Sequence, residues 1–137
     1  MTESSEQGLR ILVVEDESLI AASLKIVLES HGHTVVGPAA TLAAAPDELA
    51  AARDELNAHQ PDLASLDYRL ADSTTESLLP ELRKRGIPAC ILTGYSSDQL
   101  PPAHADCQVL EKPFTMRALI ETINLMRQAD GNPGTSR

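Results

Sequence analysis

Four short aliphatic runs constrain the fold of this chain most, because each leads directly to a charged or hydroxyl-bearing residue. Continuous runs of β-branched and aliphatic residues are typical of parallel strands that are covered on both faces. Such runs alternate here with helical patterns, which predicts a parallel sheet with right-handed crossovers. The carboxyl ends of the strands then meet at one edge. The residues at these ends are, in chain order, Glu15 and Asp16, Asp67, Thr93, and Lys112.

The remaining pattern predicts five strands and their connecting helices. The second strand is expected to close at Gly37-Pro38, and only one helical turn, at about Ser97–Leu100, fits between the last two strands. His31 and His33 are expected at the surface near the end of the first helix, with Gly32 as its left-handed stop. We predict strands at 9–14, 34–36, 62–66, 87–92 and around 109–110, and helices at 18–30, 46–58, 76–85 and from 116 onwards.

The length of 137 residues indicates one domain, which we place at 9–128 between a disordered tail at 1–8 and a flexible tail at 129–137. A single phenylalanine, two tyrosines and no tryptophan predict an aliphatic core. The net charge of −9 argues against a nucleic-acid or anionic-membrane surface. The start lacks a secretory signal and no run is long enough to span a membrane, which favours a cytoplasmic protein.

The two cysteines, Cys90 and Cys107, lie in strand-like contexts. In a cytoplasmic protein this favours reduced, buried thiols. A disulfide or redox pair is the alternative.

Three carboxylates at one edge of a sheet require a cation. Two like charges about 4 Å apart repel by roughly 4 kcal/mol at an effective dielectric constant of about 20. Hard oxygen ligands suit Mg²⁺ or Mn²⁺, and Lys112 adds a second positive charge. A carboxylate beside a divalent ion, a lysine and a hydroxyl can receive a phosphoryl group.

The motifs that carry these residues resemble the receiver domains of bacterial response regulators over about residues 9–128. They are Ile-Leu-Val-Val-Glu-Asp-Glu, Pro-Asp-Leu-Ala-Ser-Leu-Asp, Ile-Leu-Thr-Gly-Tyr and Leu-Glu-Lys-Pro-Phe. The resemblance implies a doubly wound α/β fold of the flavodoxin-like (βα)5 type, with strand order 2-1-3-4-5. The fourth helix is expected to be reduced in this chain. The Thr-Gly-Tyr after the fourth strand is similar to a branch of stand-alone receivers that work in stress or phosphorelay signalling.

The resemblance assigns a role to each residue at the edge of the sheet. Asp67 is implied as the phosphoacceptor, with Thr93 as switch hydroxyl and Lys112 as the phosphate-binding lysine. The implied metal ligands are Glu15, Asp16, Asp67 and the backbone carbonyl of Arg69. Pro113 is implied to follow a cis bond. Val109 occupies the place of a common aromatic residue, and Tyr95 is our candidate substitute for it in the switch.

The implied function is phosphoryl transfer in two-component or phosphorelay signalling. The donor would be a histidine kinase or a histidine phosphotransfer protein, and the metal Mg²⁺ or Mn²⁺. The resemblance implies a phosphoacceptor and not an enzyme, with slow autodephosphorylation as its only turnover. The residues after Arg127 are too few for a DNA-binding helix pair, so we expect output through protein contact, from a monomer or weak dimer.

Three other functions are alternatives to this interpretation. A phosphatase with an aspartate nucleophile usually needs a second acid two residues later, where this chain has Arg69. A flavin-binding module needs a Ser/Thr/Gly-rich loop after the first strand, where Glu-Asp-Glu would repel phosphate. A receiver-like module that binds proteins without phosphorylation stays open because of Val109.

Overall fold

The structure is a computed structural model. It describes residues 8–15, 17–39, 57–69, 74–94 and 99–130. Outside these residues lie Asp16, Tyr95, residues 1–7 and 131–137 of the two expected tails, most of the predicted helix 46–58, and residues 97–98 of the predicted turn.

Five parallel strands form one sheet in the order β2-β1-β3-β4-β5, which confirms the predicted fold class. Numbered over the described residues, the strands are β1 (Arg10–Val14), β2 (Thr34–Ala39), β3 (Leu63–Asp67), β4 (Ala89–Thr93) and β5 (Gln108–Glu111). The helices are α1 (Ser18–Ser30), α2 (Leu79–Lys84) and α3 (Met116–Asp130), with 3-10 turns at Glu76–Leu78 and Pro102–His104. None of the described helices is long and apolar enough to cross a membrane.

Buried aliphatic side chains cover both faces of the sheet, as the continuous apolar runs predict. Successive side chains of a strand point to opposite faces, so Leu12 and Val14 join one core cluster while Ile11 and Val13 join the other. α1 and α3 pack on the second cluster. The first is covered by α2 and the connection between β4 and β5.

Both cysteines are free thiols, as the sequence predicts for a reduced protein. Cys90 is fully buried in the cluster under α1 and α3, as predicted. Cys107 is only half-buried, which corrects the expectation that both thiols are buried, and it packs from the other face of the sheet. Burial raises the pKa of the Cys90 thiol to about 12 and that of the Cys107 thiol to about 11. Neither thiol is therefore poised as a nucleophile, and their opposite faces disfavour a disulfide between them.

The second strand continues through the two residues that were expected to end it. β2 runs to Ala39, with Gly37 at φ +99° and a register shift in its pairing with β1. Because β2 is the edge strand of the sheet, Pro38 can lack a ladder donor without disrupting a central pair. The prediction of a strand ending at Val36 was therefore wrong by three residues.

His33 is buried and not on the surface, which corrects the sequence-based expectation. Its Nδ1 accepts the backbone N–H of Leu9 at 3.0 Å, so it fixes the start of β1 to the turn after α1. Gly8 lies so close to this turn that an added Cβ would sit 1.6 Å from the carbonyl oxygen of Gly32. Gly32 itself has φ +90°, which confirms the left-handed stop.

The segment after β3 forms a 3-10 turn that leads directly into α2. Pro80 lies in the first turn of α2, where its missing N–H leaves no helical bond unmade. It therefore begins the helix and does not kink it. Gly86, at φ +70°, follows the end of the helix, close to the predicted end at residue 85.

The connection between β4 and β5 holds a 3-10 turn at Pro102–His104, which the sequence did not predict. Arg83 of α2 fixes this turn by donating to the carbonyl of Ala103 and to both carboxylate oxygens of Asp106, the latter at 2.7 and 3.3 Å. The buried ring of His104 stacks edge-on against Tyr68, with centroids 5.2 Å apart.

Candidate functional site

Asp67 and Lys112 meet at the carboxyl end of the sheet. Asp67 is the last residue of the fully buried strand β3, and Lys112 directly follows β5. The ammonium Nζ of Lys112 lies 3.1 Å from Oδ1 of Asp67, and the Asp67 side chain is only 7% exposed. The backbone N–H of Lys112 donates to the carbonyl of Thr93 at 2.7 Å, which ties β5 to the end of β4.

The environment of Lys112 favours its charged form. Burial alone would lower the pKa of the ammonium, but the Asp67 carboxylate and the hydrogen bond that it accepts raise it, as do the charges of Glu15 and Glu17. The net direction is upward. The Lys112–Pro113 peptide is cis, as the resemblance implied.

Glu15 is a fully buried carboxylate beside this ion pair. Val14 pairs with Leu66, so the residues that follow them in the chain, Glu15 and Asp67, lie side by side. Oε2 of Glu15 accepts the backbone N–H of Glu17 at 3.2 Å, whereas its Oε1 is buried with no hydrogen-bond partner among the described residues. Burial first, and then the charge of Asp67, raise the pKa of Glu15 to about 8, although Lys112 opposes the shift.

The chemistry of these donors fits a hard divalent cation. Buried polar groups are normally hydrogen-bonded, so the unpartnered Oε1 of Glu15 next to a second carboxylate is the expected property of a cation ligand. Among the described residues, no group of three His, Cys, Asp or Glu side chains is arranged to hold a metal ion. Asp16, the third predicted acidic ligand, lies outside that part of the chain.

The structure describes two of the three residues that are candidates for a switch, Thr93 and Val109. Thr93 is buried at the end of β4 and pairs with Glu111 of β5. Val109 is half-buried in β5 and packs against the cluster under α2. Tyr95 lies outside the described residues.

Thr75 is a site residue that the sequence analysis missed. It is fully buried; its hydroxyl donates to the carbonyl of Asp67 at 3.0 Å, and its N–H donates to the carbonyl of Tyr68 at 2.9 Å. Arg69, whose carbonyl is an implied metal ligand, forms an antiparallel bridge with Thr74, the residue before Thr75. The Ser-Thr-Thr stretch is a turn signal, but nothing in its spacing identifies the carbonyl that it binds.

Comparison with known proteins gives one family for most of the chain. Residues 11–124 match the family described as the response regulator receiver domain. This range includes every site residue discussed above.

The chain is similar in sequence to two proteins named PhyR. The phyllosphere-induced regulator PhyR of Methylorubrum extorquens AM1 is 29% identical over 114 residues, which cover 81% of this chain and 40% of that protein. The crystal structure of the response regulator PhyR from Brucella abortus is 27% identical, has a TM-score of 0.71, and is matched over 97% of this chain and 55% of its own. The chain thus spans about half or less of the length of these two relatives.

SdrG from Sphingomonas melonis Fr1 is a relative of similar length. Its solution structure is 33% identical with a TM-score of 0.64, covering 88% of this chain and 95% of SdrG.

Proposed function

The chain belongs to the response regulator receiver domain family, and from this we propose that it accepts a phosphoryl group on the carboxylate of Asp67. The observation that carries the proposal is the contact of 3.1 Å between Lys112 Nζ and Asp67 Oδ1, with buried Glu15 beside it. A structural ion pair alone would not require the second, buried carboxylate, whose burial next to Asp67 is unfavourable.

The proposed reaction exchanges one bond to phosphorus for another. An oxygen of Asp67 attacks the phosphorus of a phosphohistidine or a small phosphodonor, an acyl phosphate forms, and the donor leaves with the bonding electron pair. Lys112 holds its positive charge where negative charge develops on the transferred oxygens. The hydroxyl of Thr93, at the adjacent strand end, is the candidate group to bind the new phosphate.

The residues at this edge fit Mg²⁺ as the cofactor. Glu15 and Asp67 would hold it, together with the predicted ligands Asp16 and the Arg69 carbonyl. A divalent ion there would supply positive charge opposite the phosphoryl oxygens.

The partner follows from the reaction. We propose a histidine kinase or a histidine phosphotransfer protein as the physiological donor, and a downstream protein as the recipient of the signal. The kinship to PhyR and SdrG supports a signalling role, although the chain covers only part of PhyR.

The proposal is tested by incubating the protein with a small phosphodonor and Mg²⁺, followed by intact-mass measurement. One acid-labile phosphoryl group is expected on the wild-type chain and none on Asp67→Asn. Asp62→Asn is the matched control, because Asp62 is an exposed aspartate just before the same strand. Labelling of Asp67→Asn, or a folded wild-type chain that takes up no phosphate from small donors or from a panel of histidine kinases, would refute the assignment.

A further inference from the structure

The backbone that follows Asp67 is held by three hydrogen bonds, two of which come from Thr75. The hydroxyl of Thr75 donates to the carbonyl of Asp67 at 3.0 Å, and its N–H donates to the carbonyl of Tyr68 at 2.9 Å. The N–H of Tyr68 donates to the carbonyl of Leu92 in β4 at 2.8 Å. The peptide group between Asp67 and Tyr68 is thus bonded at both its carbonyl and its N–H, and the next peptide group is bonded at its carbonyl.

These bonds act at the point where the ladder of β3 stops. The last register pair between β3 and β4 is Asp67 with Leu92, so the Asp67 carbonyl lies where the sheet gives way to a loop. The Thr75 hydroxyl supplies a donor there from eight residues further along the chain. Because Thr75 is fully buried, water does not replace this donor in the folded protein.

The side chain of Tyr68 is restrained as well. It is 9% exposed, lies in the core cluster under α2, and contacts the ring of the buried His104. Arg69 forms an antiparallel bridge with Thr74. The residues on both sides of the Asp67–Tyr68 peptide are therefore restrained, and the peptide itself is held at its carbonyl by the hydroxyl of Thr75 and at its N–H by the carbonyl of Leu92.

We infer that Thr75 is a positioning residue for the phosphoacceptor: its hydroxyl sets the backbone orientation that aims the Asp67 carboxylate at Lys112 and at an incoming phosphoryl group. This inference rests on the proposed function. Reacting groups must be placed to within a fraction of an ångström, and a displacement of about 1 Å can lower a rate by roughly a hundredfold. Loss of the hydroxyl leaves the Asp67–Tyr68 peptide held only through the bond from the Tyr68 N–H to the carbonyl of Leu92. The peptide can then tilt about that remaining bond, and the Asp67 carboxylate moves with it.

The test uses an isosteric pair of variants. Thr75→Val keeps the shape of the side chain and removes the hydroxyl, whereas Thr75→Ser keeps the hydroxyl. The initial rate of phosphoryl uptake from a small donor is measured at saturating Mg²⁺ and at a temperature where circular dichroism shows each variant folded. We expect Thr75→Val to be slower by at least about fivefold and Thr75→Ser to retain most of the wild-type rate.

Thr122→Val is the matched control for the chemical change. Its hydroxyl also donates to a backbone carbonyl, that of Ala118 at 2.9 Å, but within α3 and away from the site. A wild-type rate in Thr122→Val, together with rescue by serine at position 75, separates positioning from a general loss of stability. If Thr75→Val does not fold, Thr75→Ala replaces it, since alanine removes the hydroxyl without adding bulk.

Equal rates for wild type and a folded Thr75→Val overturn the inference, as does a Thr75→Ser that is as slow as Thr75→Val. Both results leave the proposed function intact, because the wild-type chain is still labelled. A wild-type chain that takes up no phosphate would instead overturn the proposed function and, with it, the role of Thr75 in the reaction.

Discussion

At the scale of single residues, Glu15 and His33 show that the hydrogen bonding of a buried polar group determines whether that group stabilises the fold. Both are polar and both are buried, but Glu15 has an oxygen without a partner, whereas His33 accepts a backbone hydrogen bond. The first arrangement is unfavourable for folding in the absence of a cation, and the second is favourable. The two residues therefore predict opposite effects of substitution.

Replacing Glu15 by glutamine is expected to stabilise the metal-free protein. The substitution removes a buried carboxylate next to Asp67 and should raise the free energy of unfolding at pH 8 in EDTA by on the order of 1 kcal/mol. Urea denaturation followed by circular dichroism measures this. Glu121→Gln removes the same charge from an exposed position in α3 and should change stability little. A Glu15→Gln variant less stable than wild type in EDTA would contradict the prediction.

His33 is expected to make stability sensitive to mild acid. Burial, and then the positive charges of Arg127 and His31, hold the pKa of His33 below its ordinary value of 6.5. The unfolded chain therefore takes up a proton at higher pH than the folded chain. The stabilising contribution is complete above about pH 6.5 and is lost as the pH falls through the lowered value.

The measurement is the free energy of unfolding between pH 7.5 and 5. His33→Gln keeps an acceptor for the N–H of Leu9 but does not titrate, so its stability should fall less steeply towards acid than that of the wild type. Parallel curves for His33→Gln and wild type would count against the assignment.

The sequence predicted Glu15, Asp67 and Lys112 at one site because each lies at the end of a strand-like run. It missed Thr75 because that hydroxyl binds a carbonyl eight residues away, in a loop whose path no periodicity encodes. It placed His33 at the surface because a polar residue after a helix stop is usually exposed. The partner of His33 is the N–H of Leu9, which lies just before β1 and 24 residues earlier in the chain.

At the scale of secondary-structure elements, the connection between β4 and β5 is the part of the described chain that sequence patterns predicted least well. The prolines of this connection disfavour a helix, and the structure has a 3-10 turn at Pro102–His104. That turn depends on Arg83 of α2, about twenty residues earlier in the chain. Similarly, β2 passes through Gly37-Pro38 because it is an edge strand, a position that only the strand order reveals.

Arg83 connects α2 to the Pro102–His104 turn, so its substitution is expected to increase local unfolding of that turn. In Arg83→Gln, the amides of His104, Ala105 and Cys107, which donate within the turn, should exchange with deuterium several-fold faster than in wild type. The change is modest because the ion pair is exposed and is therefore screened by solvent. Hydrogen exchange read by NMR or mass spectrometry measures it.

Arg117→Gln serves as the control for Arg83→Gln. Arg117 forms an exposed pair with Glu121 within α3, so its loss removes a similar charge without connecting two elements. Exchange in the Pro102–His104 turn should stay at the wild-type rate in that variant. Unchanged exchange in Arg83→Gln as well would show that the turn is held by its apolar contacts alone.

At the scale of the whole molecule, a net charge of −9 and a cluster of carboxylates at one edge of the sheet make cations a determinant of stability. A ligand that binds only the folded chain stabilises it by mass action. At ten times its dissociation constant, Mg²⁺ should add about 1.4 kcal/mol, which corresponds to an increase of roughly 5 °C in Tm.

Thermal melts in MgCl₂ and in NaCl of equal ionic strength separate binding from general screening. The wild-type Tm should rise more in MgCl₂, and Asp67→Asn should lose most of that difference. Identical melts in the two salts would contradict a magnesium site at Asp67. The matching ionic strength is needed because screening alone stabilises a chain with this excess of acidic residues.

The salt bridge between Asp67 and Lys112 joins side chains 45 residues apart, at the ends of the two strands that flank β4. It forms only when β3, β4 and β5 are all assembled in the correct register, so a collapsed or misassembled molecule has no complete acceptor. Phosphate uptake would then count the correctly assembled molecules in a preparation. The labelled fraction could serve as an assay of folding yield for destabilised variants whose optical signal is weak, a practical advantage in a chain that contains no tryptophan.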